Sequence, residues 1–224
     1  MIDLESDGDV WILRMRAGEN RFSMAVLDRL NAALDRVEAA DGPRALVTTG
    51  DGKFYSNGLD LDWLASAPDR ASEYLAAVYR LLGRVLGFPA LTVAAVNGHA
   101  FGAGALLATA HDVAVMRQDR GYWCMPEADL GLPLSPQFLS VLTAKLPARA
   151  VQQAVMTGRR YGGPEAVAAG IVHESAAAEQ VLPAALAIAA GLAAKDRRTV
   201  AEHKRLLYGD VIAGLEIGPL HAGS

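Results

Sequence analysis

A layered α/β domain with helices packed on it is the fold class predicted by three features of the chain. Short apolar runs rich in β-branched residues alternate with segments whose apolar residues recur every three or four positions. After about residue 136 the strand signal fades and Ala-rich helical stretches follow one another. No Pro/Gly/Ser-rich linker or repeat separates the halves, so residues 1–135 and 136–224 are expected to share one domain.

The strand candidates, in order, are Val10–Met15, Arg44–Thr48, Leu91–Val96 and Val113–Met116, each bounded by Gly, Asp or Pro. Between them, residues 24–40 place Val26, Leu30, Leu34 and Val37 on one face, with Ser23 as N-cap. Residues 72–86 repeat the pattern with Leu75, Val78, Leu82 and Val85. Further helices are expected over 136–146, 147–156, 164–169, 178–194 and 197–207, and a frayed end over 214–224. Residues 85–111 hold no Asp, Glu, Lys or Arg, and about 20 such residues can cross a bilayer. Pro89, Asn97, Gly98, Gly102 and Gly104 instead divide that stretch into a buried strand, a turn and a small-residue helix.

Composition narrows the function classes. The 224 residues are 52% apolar, enough for a sizeable core, and 21 Lys+Arg against 25 Asp+Glu give a formal charge of −4. That balance supplies no basic footprint for nucleic acid or an anionic membrane surface. A single cysteine, Cys124, forms no internal disulfide, and the N-terminus opens with acids, so a cytoplasmic protein is expected. The chain has no P-loop, no H-E-x-x-H and no G-x-S-x-G, and its five histidines are scattered without ligand spacing, so they read as ordinary loop or surface residues. Neither a metal nor another cofactor is indicated.

Two glycine-rich loops leading into helices remain, Lys53–Leu61 and Val96–Leu106. Glycine lets backbone approach a ligand closely, and free N–H groups at a helix start point towards developing negative charge. Either loop alone reads equally as a tight turn; together they would form an oxyanion hole.

With F-Y-S-N-G-L-D-L, P-A-L-T-V-A-A-V-N-G-H-A-F-G-A-G-A-L-L-A-T-A-H-D, M-P-E-A-D-L-G-L and G-G-P-E-A-V-A-A-G-I-V in that order, the chain resembles the enoyl-CoA hydratase/isomerase, or crotonase, superfamily over residues 8–208. The resemblance implies a spiral of ββα units whose C-terminal helices build a homotrimer or a dimer of trimers. It implies an acyl-CoA thioester substrate, its enolate oxygen held by the backbone N–H groups of Leu59 and Ala103. Ser56, Asn57, Gly58, Asp60, Leu61, Gly102, Leu106 and Leu130 would contact that substrate, with Asp60 serving alternatively as a helix cap.

Family hydratases carry two glutamates. Here the second is present as Glu127 in Pro126-Glu127-Ala-Asp-Leu-Gly131, whereas Leu106 stands at the first. Hydration needs acid/base work at two carbons, but moving a double bond from C3–C4 to C2–C3 needs one group that takes a proton from C2 and returns it to C4. The pattern therefore resembles Δ3,Δ2-enoyl-CoA isomerases of unsaturated fatty acid degradation, with Glu127 as the acid/base group. Leu106, Leu107, Leu130 and Leu132 are expected to desolvate it and raise its pKa. Position 135, an aspartate in other branches, is Ser135. The alternatives are a hydratase using Asp129 as second group and, from another class, a non-catalytic acyl-CoA-binding protein. Lys204 and Arg205 are expected on a solvated helix face, with the CoA phosphates as their alternative partners.

Overall fold

The structure is a computed structural model that describes residues 1–217. It opens with an antiparallel hairpin, β1 (Ile2–Asp7) and β2 (Val10–Met15), followed by α1 (Met24–Ala39). Three turns of one pattern come next. Each sends one strand into a large sheet, the following strand into a small sheet, and then turns helical. They are β3 (Ala45–Gly50) and β4 (Phe54–Ser56) with α2 (Leu61–Ser66) and α3 (Ala71–Leu86); β5 (Leu91–Val96) and β6 (His99–Phe101) with α4 (Ala103–Ala110); and β7 (Val113–Arg117) and β8 (Trp123–Cys124) with α5 (Glu127–Leu130). The chain closes with α6 (Pro136–Lys145), α7 (Ala148–Thr157), α8 (Gly163–Ala168), β9 (Glu174–Ala176), α9 (Val181–Leu192) and α10 (Arg197–Ile217).

The large sheet has the order β1-β2-β3-β5-β7-β9, parallel from β2 onwards, and the small one is β4-β6-β8, also parallel. This is the expected spiral of ββα units. Strand β3 is buried along its whole length because both faces of the large sheet are covered, as parallel sheets require. On one face Val181, Ala185 and Ala189 of α9 meet Val47, Val93, Ala95 and Val115. The larger core lies on the other side, where α1, α3 and α4 fill the space towards the small sheet. Ser23 caps α1 as predicted, accepting from the Val26 amide.

The structure corrects several expectations. The C-terminal part is not purely helical, since β9 pairs with β7 as an edge strand. The helix expected over 178–194 begins as a 3-10 turn at 178–180 and ends at Leu192. Helix α10 continues ten residues past 207, and Leu215, in the segment expected to fray, is fully buried against Gly83 of α3; residues 218–224 lie outside the described residues. No single helix among the described residues is long and apolar enough to cross a membrane, and residues 85–111 form the end of α3, β5, β6 and α4.

Two groups read as surface residues are buried. His111 is 1% exposed; its Nδ1 lies 2.7 Å from the Leu107 carbonyl and its Nε2 2.9 Å from Thr48 Oγ1. Burial pushes this imidazole down to about 4, so it is neutral at pH 7 and, with Nδ1 donating to Leu107, accepts from Thr48 at Nε2. Lys204 donates to Asp112 at 2.7 Å and to the Ala90 carbonyl at 2.9 Å, which pins α10 to the start of β5 instead of presenting a cation to solvent or phosphate. Arg205 is exposed and pairs with Glu202 one turn away.

Candidate active site

The first glycine loop leaves β4 and is held from the β2–α1 connection. Asn20, fully buried at φ +53°, donates through Nδ2 to the Phe54 and Tyr55 carbonyls at 3.2 and 3.0 Å. Ser56 Oγ donates to the Asn20 carbonyl and accepts from the Gly58 amide. The Asn57 amide donates to the Glu19 carbonyl and the Phe22 amide to the Gly58 carbonyl. Asp60 accepts from the Trp63 amide and so caps α2, while its own amide donates to Tyr74 Oη at 2.8 Å. The amides of Asn57, Gly58 and Asp60 on either side of Leu59 are thus all engaged, whereas the Leu59 amide makes no hydrogen bond among the described residues.

The second loop turns from β6 into α4 at Gly102, φ +52°. Its amide donates to the Cys124 carbonyl of β8 at 3.0 Å, and Ala103 is the first residue of α4, where an N–H has no partner within the helix. The aligned peptide dipoles of α4 add partial positive charge at that point. Gly58, at φ +79°, brings the loops together: a Cβ there would lie 2.6 Å from the Phe101 carbonyl oxygen and 2.9 Å from the Ala103 nitrogen.

Glu127 starts α5, and a Cβ on Gly102 would lie 3.3 Å from its Oε1. Its Oε2 is buried without a hydrogen-bond partner. Burial raises the carboxyl pKa above the ordinary glutamate value, against a smaller lowering by its own backbone N–H. Leu59, Ala103 and Glu127 therefore come from three successive turns of the spiral and meet at one cavity of about 530 Å³.

Asn57, Leu61, Gly102 and Leu130 line that cavity too, but Ser56, Gly58, Asp60 and Leu106 do not. The first three of these hold the loop from behind. Leu106 and Leu107 are buried in the core, so the apolar surroundings of Glu127 come instead from Leu130, Leu132, Leu134 and Phe101. Asp129, the proposed second group of a hydratase, lies away from the lining: it is exposed, its carboxylate beside Gly158. Cys124 Sγ donates to the Gly158 carbonyl at 3.2 Å, and burial pushes the thiol up to about 11, which makes it structural. Asn20, Tyr74, Tyr79 and Phe138 escaped sequence reading. Only Asn20 carried a signal, as a residue that tolerates left-handed backbone in a Gly-Glu-Asn turn.

Residues 9–212 match the enoyl-CoA hydratase/isomerase family. The chain belongs to that family. Among its relatives, enoyl-CoA delta isomerase 3 of Arabidopsis thaliana is 36% identical over 204 residues, which cover 87% of this chain and 86% of the plant protein. A probable enoyl-CoA hydratase of Bacillus subtilis is 31% identical over 88% of this chain and 77% of its own length. The solved structure of human mitochondrial delta3-delta2-enoyl-CoA isomerase superposes with a TM-score of 0.89 at 25% identity, covering 96% of this chain and 85% of the human one. The fold is thereby the crotonase fold, and both isomerases and hydratases stand among this family member's relatives.

Proposed function

We propose that this family member is a Δ3,Δ2-enoyl-CoA isomerase. The observation that carries the reading is Glu127, whose Oε2 is buried and unpaired beside the Leu59 and Ala103 amides in a largely apolar cavity, whereas the other carboxylate on the lining, Asp62, is exposed and paired with Arg21. In the proposed cycle the thioester oxygen accepts from the Leu59 and Ala103 amides. Glu127 takes a proton from C2; the electron pair moves into a dienolate whose oxygen the two amides hold, and Glu127 returns the proton to C4. Each such donor lowers a barrier of this kind by about 2.7–4 kcal/mol. Desolvation makes the carboxylate a stronger base towards a carbon acid and keeps the transferred proton from exchanging with water.

In this reading coenzyme A belongs to the substrate and no cofactor takes part. The assembly expected with it is a homotrimer or dimer of trimers in the cytoplasm. The hydratase reading draws on the Bacillus relative, but hydration needs acid/base work at two carbons; Asp129 stands outside the cavity, and Asp62, on its lining, is exposed and bound to Arg21.

Purified protein given a 3-enoyl-CoA is expected to yield the conjugated 2-enoyl thioester, followed by its ultraviolet absorbance. Glu127→Gln should lower turnover by about 10²–10⁴-fold, the usual worth of general acid–base catalysis, while thioester binding persists. Unchanged turnover in the variant would remove Glu127 from the mechanism. Hydration of 2-enoyl-CoA with comparable efficiency would favour the hydratase, and binding without any turnover would favour a non-catalytic protein.

A further inference from the structure

The cavity beside Glu127 has an open lip and a blind end. Leu61, Leu130 and Leu132 form the lip and are 38%, 54% and 44% exposed, whereas Tyr79 of α3 and Phe138 of α6, which line the same cavity, are 1% and 6% exposed. Their rings meet edge-on, with centroids 4.9 Å apart and planes at 77°. Both belong to the main core, so side chains back them from behind. Phe138 is also fixed through its backbone: its amide donates to Ser135 Oγ, the N-cap of α6, at 3.2 Å. Leu75, one helical turn before Tyr79, lines the cavity as well.

We propose that the Tyr79–Phe138 pair is a fixed stop for the acyl chain, so that the site takes straight-chain acyl-CoA esters up to a defined length and rejects longer ones. This rests on the isomerase reading above. With its thioester oxygen at the Leu59 and Ala103 amides, a growing chain gains contact as it advances along the apolar wall. Each methylene buried there raises kcat/KM about fourfold, the equivalent of ~0.8 kcal/mol. Once the chain end meets the rings, the next methylene has to displace core side chains or stay in water, and the gain ends.

The test is a series of 3-enoyl-CoA esters of increasing length, assayed with the wild type, Phe138→Leu and Phe138→Ala. The wild type should show a steady rise and then a break, and the break should move to longer chains in Phe138→Ala, with Phe138→Leu between them. Phe138→Leu keeps the proposal testable if the larger truncation does not fold, as checked by melting curves. Affinities of saturated acyl-CoA esters, measured by calorimetry on the same proteins, should break at the same length. A wild type without a break, or a break that Phe138 substitution leaves in place, overturns the stop. A break in affinity that moves as predicted, in a protein that isomerises no ester, supports the stop and refutes the isomerase reading alone.

Discussion

Glu127 shows how one side chain trades stability for reactivity. Its carboxyl pKa is raised by burial, so below the ordinary glutamate pKa both folded and unfolded chains carry the proton and the site costs nothing. As pH rises through the folded-state pKa, the folded protein has to hold a carboxylate that the unfolded chain would keep in water, and stability falls. Glu127→Gln should therefore melt at a higher temperature than the wild type at pH 7, with the gap closing below about pH 4.5, where free glutamate is protonated. The same shift predicts that kcat/KM falls on the acid side with a midpoint above the ordinary glutamate value. Equal melting temperatures at neutral pH, or a midpoint at that ordinary value, would show that burial does not act on this group.

The two loops act as elements, and Gly58 joins them. An alanine there has to adopt φ +79° and place a methyl 2.6 Å from the Phe101 carbonyl oxygen, so the loop must retreat from α4. Gly58→Ala is expected to cost about 10²–10³-fold in kcat, the worth of one oxyanion donor, with helix content by circular dichroism unchanged. Wild-type kcat in that variant would show that the loops need not touch. At this scale much was legible in the sequence. The long strands β2, β5 and β7 and the amphipathic α1 and α3 fall within a residue or so of their predicted bounds, because apolar periodicity and caps are local signals. Strands β4, β6, β8 and β9 are only two or three residues long and carry no alternation of their own, so pairing with neighbours alone defines them. The last helix is expected to stop at residue 207, yet burial of Leu215 on α3 carries it through Gly209 and Gly214. In the site, the motifs pointed to Leu59, Ala103 and Glu127, while Leu106 was misplaced because identity at a motif position does not say which way a helical side chain faces. The blind end formed by Tyr79 and Phe138 joins residues nearly sixty positions apart and leaves no trace in either segment.

Across the whole molecule, the C-terminal helix is bound to the α/β body by an ion pair that is itself buried. Lys204 is 4% exposed at its side chain and Asp112 16%; Asp112 also accepts from the Thr92 amide and hydroxyl at 2.7 and 3.0 Å. Burial pulls the lysine pKa down, against the raising effect of Asp112. Lys204→Ala leaves a carboxylate without its counter-charge and is expected to cost about 3–5 kcal/mol in urea unfolding. A loss below about 1 kcal/mol would place the pair among the weak surface bridges.

The three groups gathered at the cavity each stand two or three residues beyond the end of a strand of the small parallel sheet: Leu59 after β4, Ala103 after β6 and Glu127 after β8. Neighbouring strands of a sheet are spaced about 4.8 Å apart by their hydrogen bonds. The backbone ladder thus acts as a ruler whose successive marks are the two amides and the carboxylate. A substitution at one mark changes the chemistry offered there while the other two keep their places, so a chain of this design can change its reaction one strand end at a time.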